Sequence, residues 1–401
     1  MGKEFDSIIC ISQTPWKGRF QNSAVQLMSE LAQRHRILYV DYQYTIKDWL
    51  MGIVGRRDVP IRALLKLEDP LTKLTLENGG EIYLWVPPMM FPTNWLTNRS
   101  HDKVLQWNVN YLTRELRKVM ARLELNCPLI VNAFNPVWGP PMIGRLNECA
   151  TVYYCYDEIT AENWISRHGQ RYEKKYLQQV DAVITTSEAL RQSKSALQPI
   201  TFCIKNGANF NLFHQARQLA DKHPPEKIII GYLGTADNRI NSSIVEYCVR
   251  VMPDVEFQFI GEINDLQLQE RLSVFPNVIF IKSLPAVKLP PLLAKLSAAI
   301  IPFVCNEHTY TIYPLKINEY LAAGLPVVST PFSILDEFES VIELANDPES
   351  FAQALQRVLN DNSPERIRQR VEVARANSWE KRAEEFEDII QRISEAKEVK
   401  A

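Results

Sequence analysis

The sequence predicts an α/β protein of two domains, each built on a doubly wound parallel sheet. Three observations carry this. Short apolar runs rich in Ile, Val, Tyr and Phe recur along the chain, separated by stretches with helical periodicity. At 401 residues the chain is longer than one ordinary core serves. The alternation is also interrupted once, by the polar segment "NFNLFHQARQLADKHPPEK" (209–227), whose Pro-Pro pair precedes a strong new strand.

In the first domain "SIICIS" (7–12) reads as a buried strand, followed by the loop "QTPWKGRF". Ala24, Leu27, Met28 and Leu31 then share one face of a helix over 22–34. "RILYVD", "EIYLWVP", "PLIVNAF", "TVYYCYD", "DAVITTS" and "ITFCIKNG" supply further strands, with helical patterns at 102–124 and 188–196. In the second domain the strands are "KIIIGYLG", "EFQFIGE", "NVIFIKS", "AAIIPF", "LPVVST" and "VIELANDP". A charged amphipathic tail from Glu365 breaks near Asn377-Ser378-Trp379. The expected organisation is a first domain over 1–208, a linker over 209–226, a second domain over 227–376 and a terminal helix over 377–401.

Composition narrows the function. With 46% hydrophobic and 23% charged residues the chain has a globular make-up, and a net charge of −2 argues against nucleic acid as a partner. Residues 1–205 carry 25 Lys/Arg and 20 Asp/Glu, against 20 and 27 in the rest, so the first half is mildly basic. The seven cysteines show no metal-type spacing and read as buried free thiols. The start "MGKEFDSIICIS" lacks the pattern of a signal peptide, and no run approaches the ~20 apolar residues of a membrane span, so a cytoplasmic location is expected. P-loop, G-x-S-x-G and H-E-x-x-H patterns are absent, which disfavours the corresponding NTPases, serine hydrolases and zinc proteases.

Four stretches could carry chemistry. In "TYTIYPLKINEYLAAGLPVVST" (309–330), Pro314 suits a helix start, whose free N–H groups and dipole favour an anion. Lys316 adds charge at that end, and Glu319 lies on the same face, placed to accept two hydroxyl hydrogen bonds. A surface ion pair between the two fits the same spacing. In "GYLGTADNR" (231–239), Gly234 and Thr235 end a strand where backbone N–H groups could meet a diphosphate, with Arg239 as a clamp. An ordinary strand-to-helix turn fits equally. Gly18, flanked by Lys17 and Arg19, holds the mirror position in the first domain, as cleft wall or as surface loop. Asn135 and Asp157 follow apolar strands and should emerge at the same edge, Asp157 as a base, a substrate anchor or a helix cap.

Five segments in order, "DAVITTSEAL", "IKNGANFNLF", "IIIGYLGTADNRI", "PNVIFIKSLPAVKLPPLLAKLSAAIIPF" and "YPLKINEYLAAGLPVVST", resemble retaining GT-B glycosyltransferases of the family-4 type. Within that family the likeness is to the bacterial branch that makes cell-surface polysaccharides, including teichuronic-acid-type enzymes. It is strong over 181–330 and fainter over the first 150 residues. The resemblance implies two Rossmann-like domains facing a central cleft, with a UDP- or GDP-type sugar nucleotide held mainly by the second. It makes Glu319 the ribose contact and places Tyr313, Pro314, Leu315 and Lys316 under the diphosphate and sugar. Gly234, Thr235 and Arg239 become phosphate contacts, and the backbone from Lys282 to Leu284 a reader of the base edge. Two departures stand out: Thr311 occupies the position of the family's first glutamate, and Asn209 that of the aspartate in N-G-x-D.

Transfer with retention is thought to use the leaving diphosphate itself as proton acceptor, with no metal and no other cofactor required. The acceptor is then a glycan or a lipid-linked saccharide. "WLMGIVGRRDVPIRALLKL" (49–67), with Arg56, Arg57, Arg62 and Lys66 among apolar residues, would suit a monolayer contact at the inner face of the membrane. A helix packed on its own domain is the competing expectation. Two other classes fit as well: a GT-B nucleotide-sugar epimerase or hydrolase, and a subunit that keeps the fold without catalysis.

Overall fold

A computed structural model describes residues 5–18, 22–161, 165–222 and 227–398. Arg19 and the Pro224-Pro225 pair lie outside the described residues. The chain forms two compact units, residues 1–205 with 383–401, and residues 206–382.

Unit 1 is built on strands β1 (Ile8–Ser12), β2 (Ile37–Val40), β3 (Leu71–Thr75), β4 (Glu81–Trp85), β5 (Leu129–Ala133), β6 (Ala150–Cys155), β7 (Ala182–Thr185) and β8 (Thr201–Cys203). Their order is β3-β4-β2-β1-β5-β6-β7-β8. In that order every neighbouring pair from β4 to β8 is parallel. β1, β5 and β6 are buried along their whole length, which is why they appear as unbroken apolar runs. Asn22 caps the helix Ser23–Leu31 by accepting from Ala24 N at 2.9 Å, and that helix buries the four apolar residues expected of it.

Unit 2 follows the same logic with β9 (Ile229–Leu233), β10 (Glu256–Ile260), β11 (Val278–Ile281), β12 (Ala298–Ile301), β13 (Val327–Ser329) and β14 (Ile342–Leu344). Their order is β11-β10-β9-β12-β13-β14, all parallel. In each unit the chain winds outward from one central strand and then crosses to that strand's other side. This creates a topological switch point between β1 and β5, and another between β9 and β12. Ligands of open α/β sheets bind outside the carboxyl ends of the strands at such points.

The structure departs from the sequence expectations in three places. β3 was not anticipated; it pairs antiparallel with β4, and cross-strand Lys73 and Glu81 meet at 2.8 Å. The segment expected as a linker instead contains the helix Phe210–Lys222, whose Phe210, Phe213 and Ala216 belong to the core of unit 2. Cys127 and Cys149 are not free thiols but a disulfide, with Cα atoms 5.2 Å apart. They precede the neighbouring strands β5 and β6, and Cys149 N donates to Pro128 O at 3.0 Å, so the parallel register sets them side by side. Cys10, Cys155 and Cys248 are buried free thiols.

Unit 2 begins and ends on one contact. Ala208 pairs with Ser378; Ala208 N donates to Asn377 O at 3.0 Å and Trp379 N to Ala208 O at 3.1 Å. Gly207 is required there, because a Cβ would lie 2.7 Å from Trp379 N. Asn209 caps the helix that follows, accepting from Leu212 N at 3.1 Å as an aspartate would.

Candidate functional site

The switch point of unit 2 gathers most of the residues singled out in the sequence. β9 ends at Leu233, and Gly234 turns the chain with φ at +139°. The helix Leu315–Ala322 arrives from beyond β12, with Pro314 at its N-cap rather than inside its first turn. Its docking is set by Tyr320, whose hydroxyl accepts from Leu233 N at 2.6 Å. Lys316 lies one turn earlier on the same face and is thereby laid across Gly234. A Cβ on Gly234 would stand 2.1 Å from Lys316 Cε and 2.8 Å from its Nζ, so only glycine admits this approach.

A chain of polar contacts holds the start of that helix. The buried Tyr313 hydroxyl accepts from Asn318 Nδ2 at 3.0 Å, Asn377 Nδ2 donates to Asn318 Oδ1 at 3.2 Å, and Arg382 Nη2 to Asn377 Oδ1 at 2.5 Å. Tyr313 and Pro314 are buried and Leu315 is half-buried, so what this turn offers a ligand is backbone, consistent with first-turn N–H groups that lack helical partners.

Lys316 and Glu319 do not form the ion pair their spacing allowed. Among the described residues neither makes a hydrogen bond or a salt bridge. Burial pushes the Glu319 carboxyl up to about 7, with Lys316 pulling it the other way. Burial likewise lowers the Lys316 ammonium from its ordinary value, opposed by Glu319. A carboxylate buried like that of Glu319, with no hydrogen bond to it, is costly unless something binds beside it, while Lys316 is half-buried.

Arg239 sits at this edge but is already engaged. Its Nε and Nη2 donate to the two carboxylate oxygens of Asp237 at 2.8 and 2.7 Å, and the guanidinium lies 5.4 Å from the centre of the Phe303 ring. That pair takes two of its five N–H donors, whereas Lys316 makes no hydrogen bond among the described residues. Thr235 is half-buried, and its carbonyl accepts from Tyr232 Oη at 2.9 Å. Lys282 and Leu284 follow β11, the edge strand two places from β9, at the same end of the sheet. Thr311 closes a short turn, its hydroxyl donating to His308 O at 2.9 Å. Sequence reasoning passed over Gly261. This residue ends β10 with φ at +152°, and a Cβ there would lie 2.1 Å from Gly234 O.

Asn135, Asp157 and Gly18 belong to unit 1. Gly18 and Lys17 are exposed beyond β1. The loop before them is pinned, with Trp16 N donating to Asp41 Oδ1 at 2.8 Å and Tyr39 Oη to Thr14 O at 2.9 Å. Asn135 and Asp157 follow β5 and β6 and line a cavity of about 820 Å³ at the unit's switch point. Asp157 Oδ1 accepts from the next residue's N–H at 2.9 Å, a bond that does not cap a helix.

Residues 227–361 match the family model described as Glycosyl transferases group 1. The "Putative teichuronic acid biosynthesis glycosyltransferase TuaH" of Bacillus subtilis (strain 168) is 25% identical over 222 residues, 52% of this chain and 56% of that protein. The match therefore spans little more than half of that relative. Among solved structures, sucrose-phosphate synthase from Thermosynechococcus elongatus superposes with a TM-score of 0.67 at 16% identity, covering 97% of this chain and 100% of that one. Anabaena HepE in complex with UDP and glucose gives 0.64 at 14%, covering 97% and 100%. An α,α-trehalose 6-phosphate synthase from Burkholderia multivorans gives 0.67 at 11%, covering 98% and 99%. The fold is GT-B, and the family match lies within unit 2.

Proposed function

We propose that the chain is a retaining glycosyltransferase that moves a sugar from a nucleotide-diphosphate-sugar to a glycan or lipid-linked acceptor in bacterial cell-surface polysaccharide synthesis. The observation that carries this is the unpaired Lys316 laid over Gly234 at the switch point, with the buried, unpaired Glu319 one turn along the same helix. Lys316 and the first-turn N–H groups would meet the diphosphate, and Glu319 the two ribose hydroxyls. The solved relative HepE is seen with UDP and with UDP-glucose, which supports a uridine donor.

In the transfer step the bond from the sugar's C1 to the diphosphate oxygen breaks as the acceptor oxygen bonds to C1 on the same face. The acceptor's proton passes to that diphosphate oxygen, so charge and atoms balance. The protein's part is to position both partners and to stabilise the charge gathering on the leaving group. Lys316 serves this without a metal on this reading. Asn135 and Asp157 fall to the acceptor side.

The helix Ile46–Ile53 and its surroundings support a peripheral membrane contact. Leu50, Ile53, Val54 and Leu67 are more than half exposed beside Arg56, Arg62 and Lys66. Among the described residues no helix is long and apolar enough to cross a membrane. Thr311, which brings a hydroxyl where the family has a carboxylate, favours a second reading in which donor binding is kept and transfer lost. Calorimetric titration with UDP and GDP tests the main reading. One nucleotide should bind, and Lys316→Ala should weaken it at least about tenfold, or ~1.4 kcal/mol. A wild-type chain that binds neither nucleotide overturns it.

A further inference from the structure

The cavity of unit 1 has a floor whose chemistry is set by a chain of hydrogen bonds. Gln43 Nε2 donates to two backbone carbonyls, Ser12 O at 3.2 Å and Asp41 O at 2.9 Å. Its Oε1 therefore faces the other way, and Asn135 Nδ2 donates to it at 2.5 Å. The backbone of Asn135 is also satisfied, through Asn132 Oδ1 at 2.8 Å and Asn132 Nδ2 at 3.0 Å. One atom is left over. Asn135 Oδ1 is buried and accepts nothing, and the Gln43 arrangement prevents the carboxamide from turning round to hide it.

The backbone supports the same point. Phe134, immediately before Asn135, has φ at +52°, a left-handed conformation costly for an aromatic residue. That turn delivers Asn135 to the carboxyl end of β5. A buried acceptor without a donor is unfavourable until a ligand's O–H reaches it.

The rest of the cavity suits a sugar with a charge. Tyr42 and Trp138 are among the residues that line it. Arg57 is committed to Asp48 and lies 4.8 Å over the Tyr42 ring, so it brings no free charge. Lys47 and Arg56 are exposed and, among the described residues, make no hydrogen bond or ion pair. Asp157 is the remaining acid of the lining, which leaves a positive excess on the side of the helix Ile46–Ile53.

We propose that this cavity binds a saccharide bearing an anionic group, carboxylate or phosphate. A ring hydroxyl donates to Asn135 Oδ1, and the anion faces Lys47 and Arg56. As the acceptor subsite of a transferase the proposal rests on the function given above; as a saccharide site it stands alone.

The test is binding of methyl β-D-glucuronide, glucose 1-phosphate and methyl β-D-glucoside to the full chain, followed by saturation-transfer NMR, with UDP titrated into the same samples. At least one anionic sugar should bind about tenfold more tightly than the glucoside, and the preferred one identifies carboxylate or phosphate. The double variant Lys47→Ala/Arg56→Ala should remove that preference and leave UDP binding unchanged. Asn135→Leu should weaken all three sugars, with its melting temperature as the folding check. Equal binding of all three sugars, or a preference that survives the double variant, overturns the proposal. UDP binding with no saccharide binding overturns the cavity proposal alone, whereas saccharide binding without nucleotide binding sinks the transferase reading alone.

Discussion

Replacing Glu319 with glutamine is expected to stabilise unit 2 while costing it nucleotide binding. The carboxyl is 8% exposed, has no partner in the protein, and is pushed from an ordinary 4.5 up to about 7 by burial. Below pH 4.5 it is protonated in folded and unfolded chains alike and carries no penalty. As pH rises towards 7 the unfolded chain releases the proton and the folded unit retains it, so stability falls across that window. Above pH 7 the loss is complete, at roughly 3 kcal/mol. Glu319→Gln is neutral throughout and escapes it.

At pH 8 the variant should therefore melt higher, by roughly 6–10 °C for a unit of this size, with a gap of only about 2 °C at pH 5. Differential scanning calorimetry at the two pH values reads this directly, and the transition that saturating UDP raises in the wild type identifies unit 2. The same variant should bind UDP at least about tenfold more weakly at pH 8, because an amide offers one neutral acceptor oxygen where a carboxylate offers two charged ones, one for each ribose hydroxyl. A melting gap that is equal at both pH values would refute the reasoning. So would a variant less stable at pH 8, since Glu319 would then have a partner in the protein that glutamine cannot replace.

Two other substitutions test the architecture around the sites. Gly261→Ala would drive a Cβ to 2.1 Å from Gly234 O, a backbone atom beneath Lys316. It should lose at least about 2 kcal/mol in urea unfolding and weaken UDP binding together with stability. In unit 1 the buried Lys194 bridges Glu158 at 3.0 Å and Glu173 at 2.9 Å, and Tyr153 Oη donates to Glu173 at 3.0 Å. Lys194→Met should cost roughly 3–5 kcal/mol by stranding these carboxylates. Adding Glu173→Gln should recover part of that loss, and an undiminished loss would show that the lysine acts by packing alone.

What could be read in the sequence divides by range. The central strands were legible because parallel strands buried on both faces consist of little but apolar residues, as in "KIIIGYL" and "AAII". β3 escaped because an edge strand with "LTKLT" buries mainly Leu71, although the Asn78-Gly79 turn that joins it to β4 was a hairpin signal in plain view. The helix Phe210–Lys222 escaped because it buries only Phe210, Phe213 and Ala216, a stripe too sparse to stand out against polar neighbours. At the site, Lys316 and Glu319 were visible from their spacing. That they would stay apart was not, since it depends on Tyr320 reaching a strand 87 residues away. The Arg239–Asp237 pair is local and could have been read from "TADNR". The bond between Gln43 and Asn135 spans 92 residues and could not.

The contact between Ala208 and Ser378 bears on how such a chain diversifies. Unit 2 enters and leaves through two adjacent threads, so in topology it is an insert carried within unit 1, closed on itself at its base. Segments with neighbouring ends are the ones that tolerate excision and transplantation. The half that carries Lys316 and Glu319 thus has the neighbouring ends that exchange as a cassette would require. On the proposed function, mutation in unit 1 would then change which saccharide is met while leaving the residues proposed to hold the nucleotide untouched.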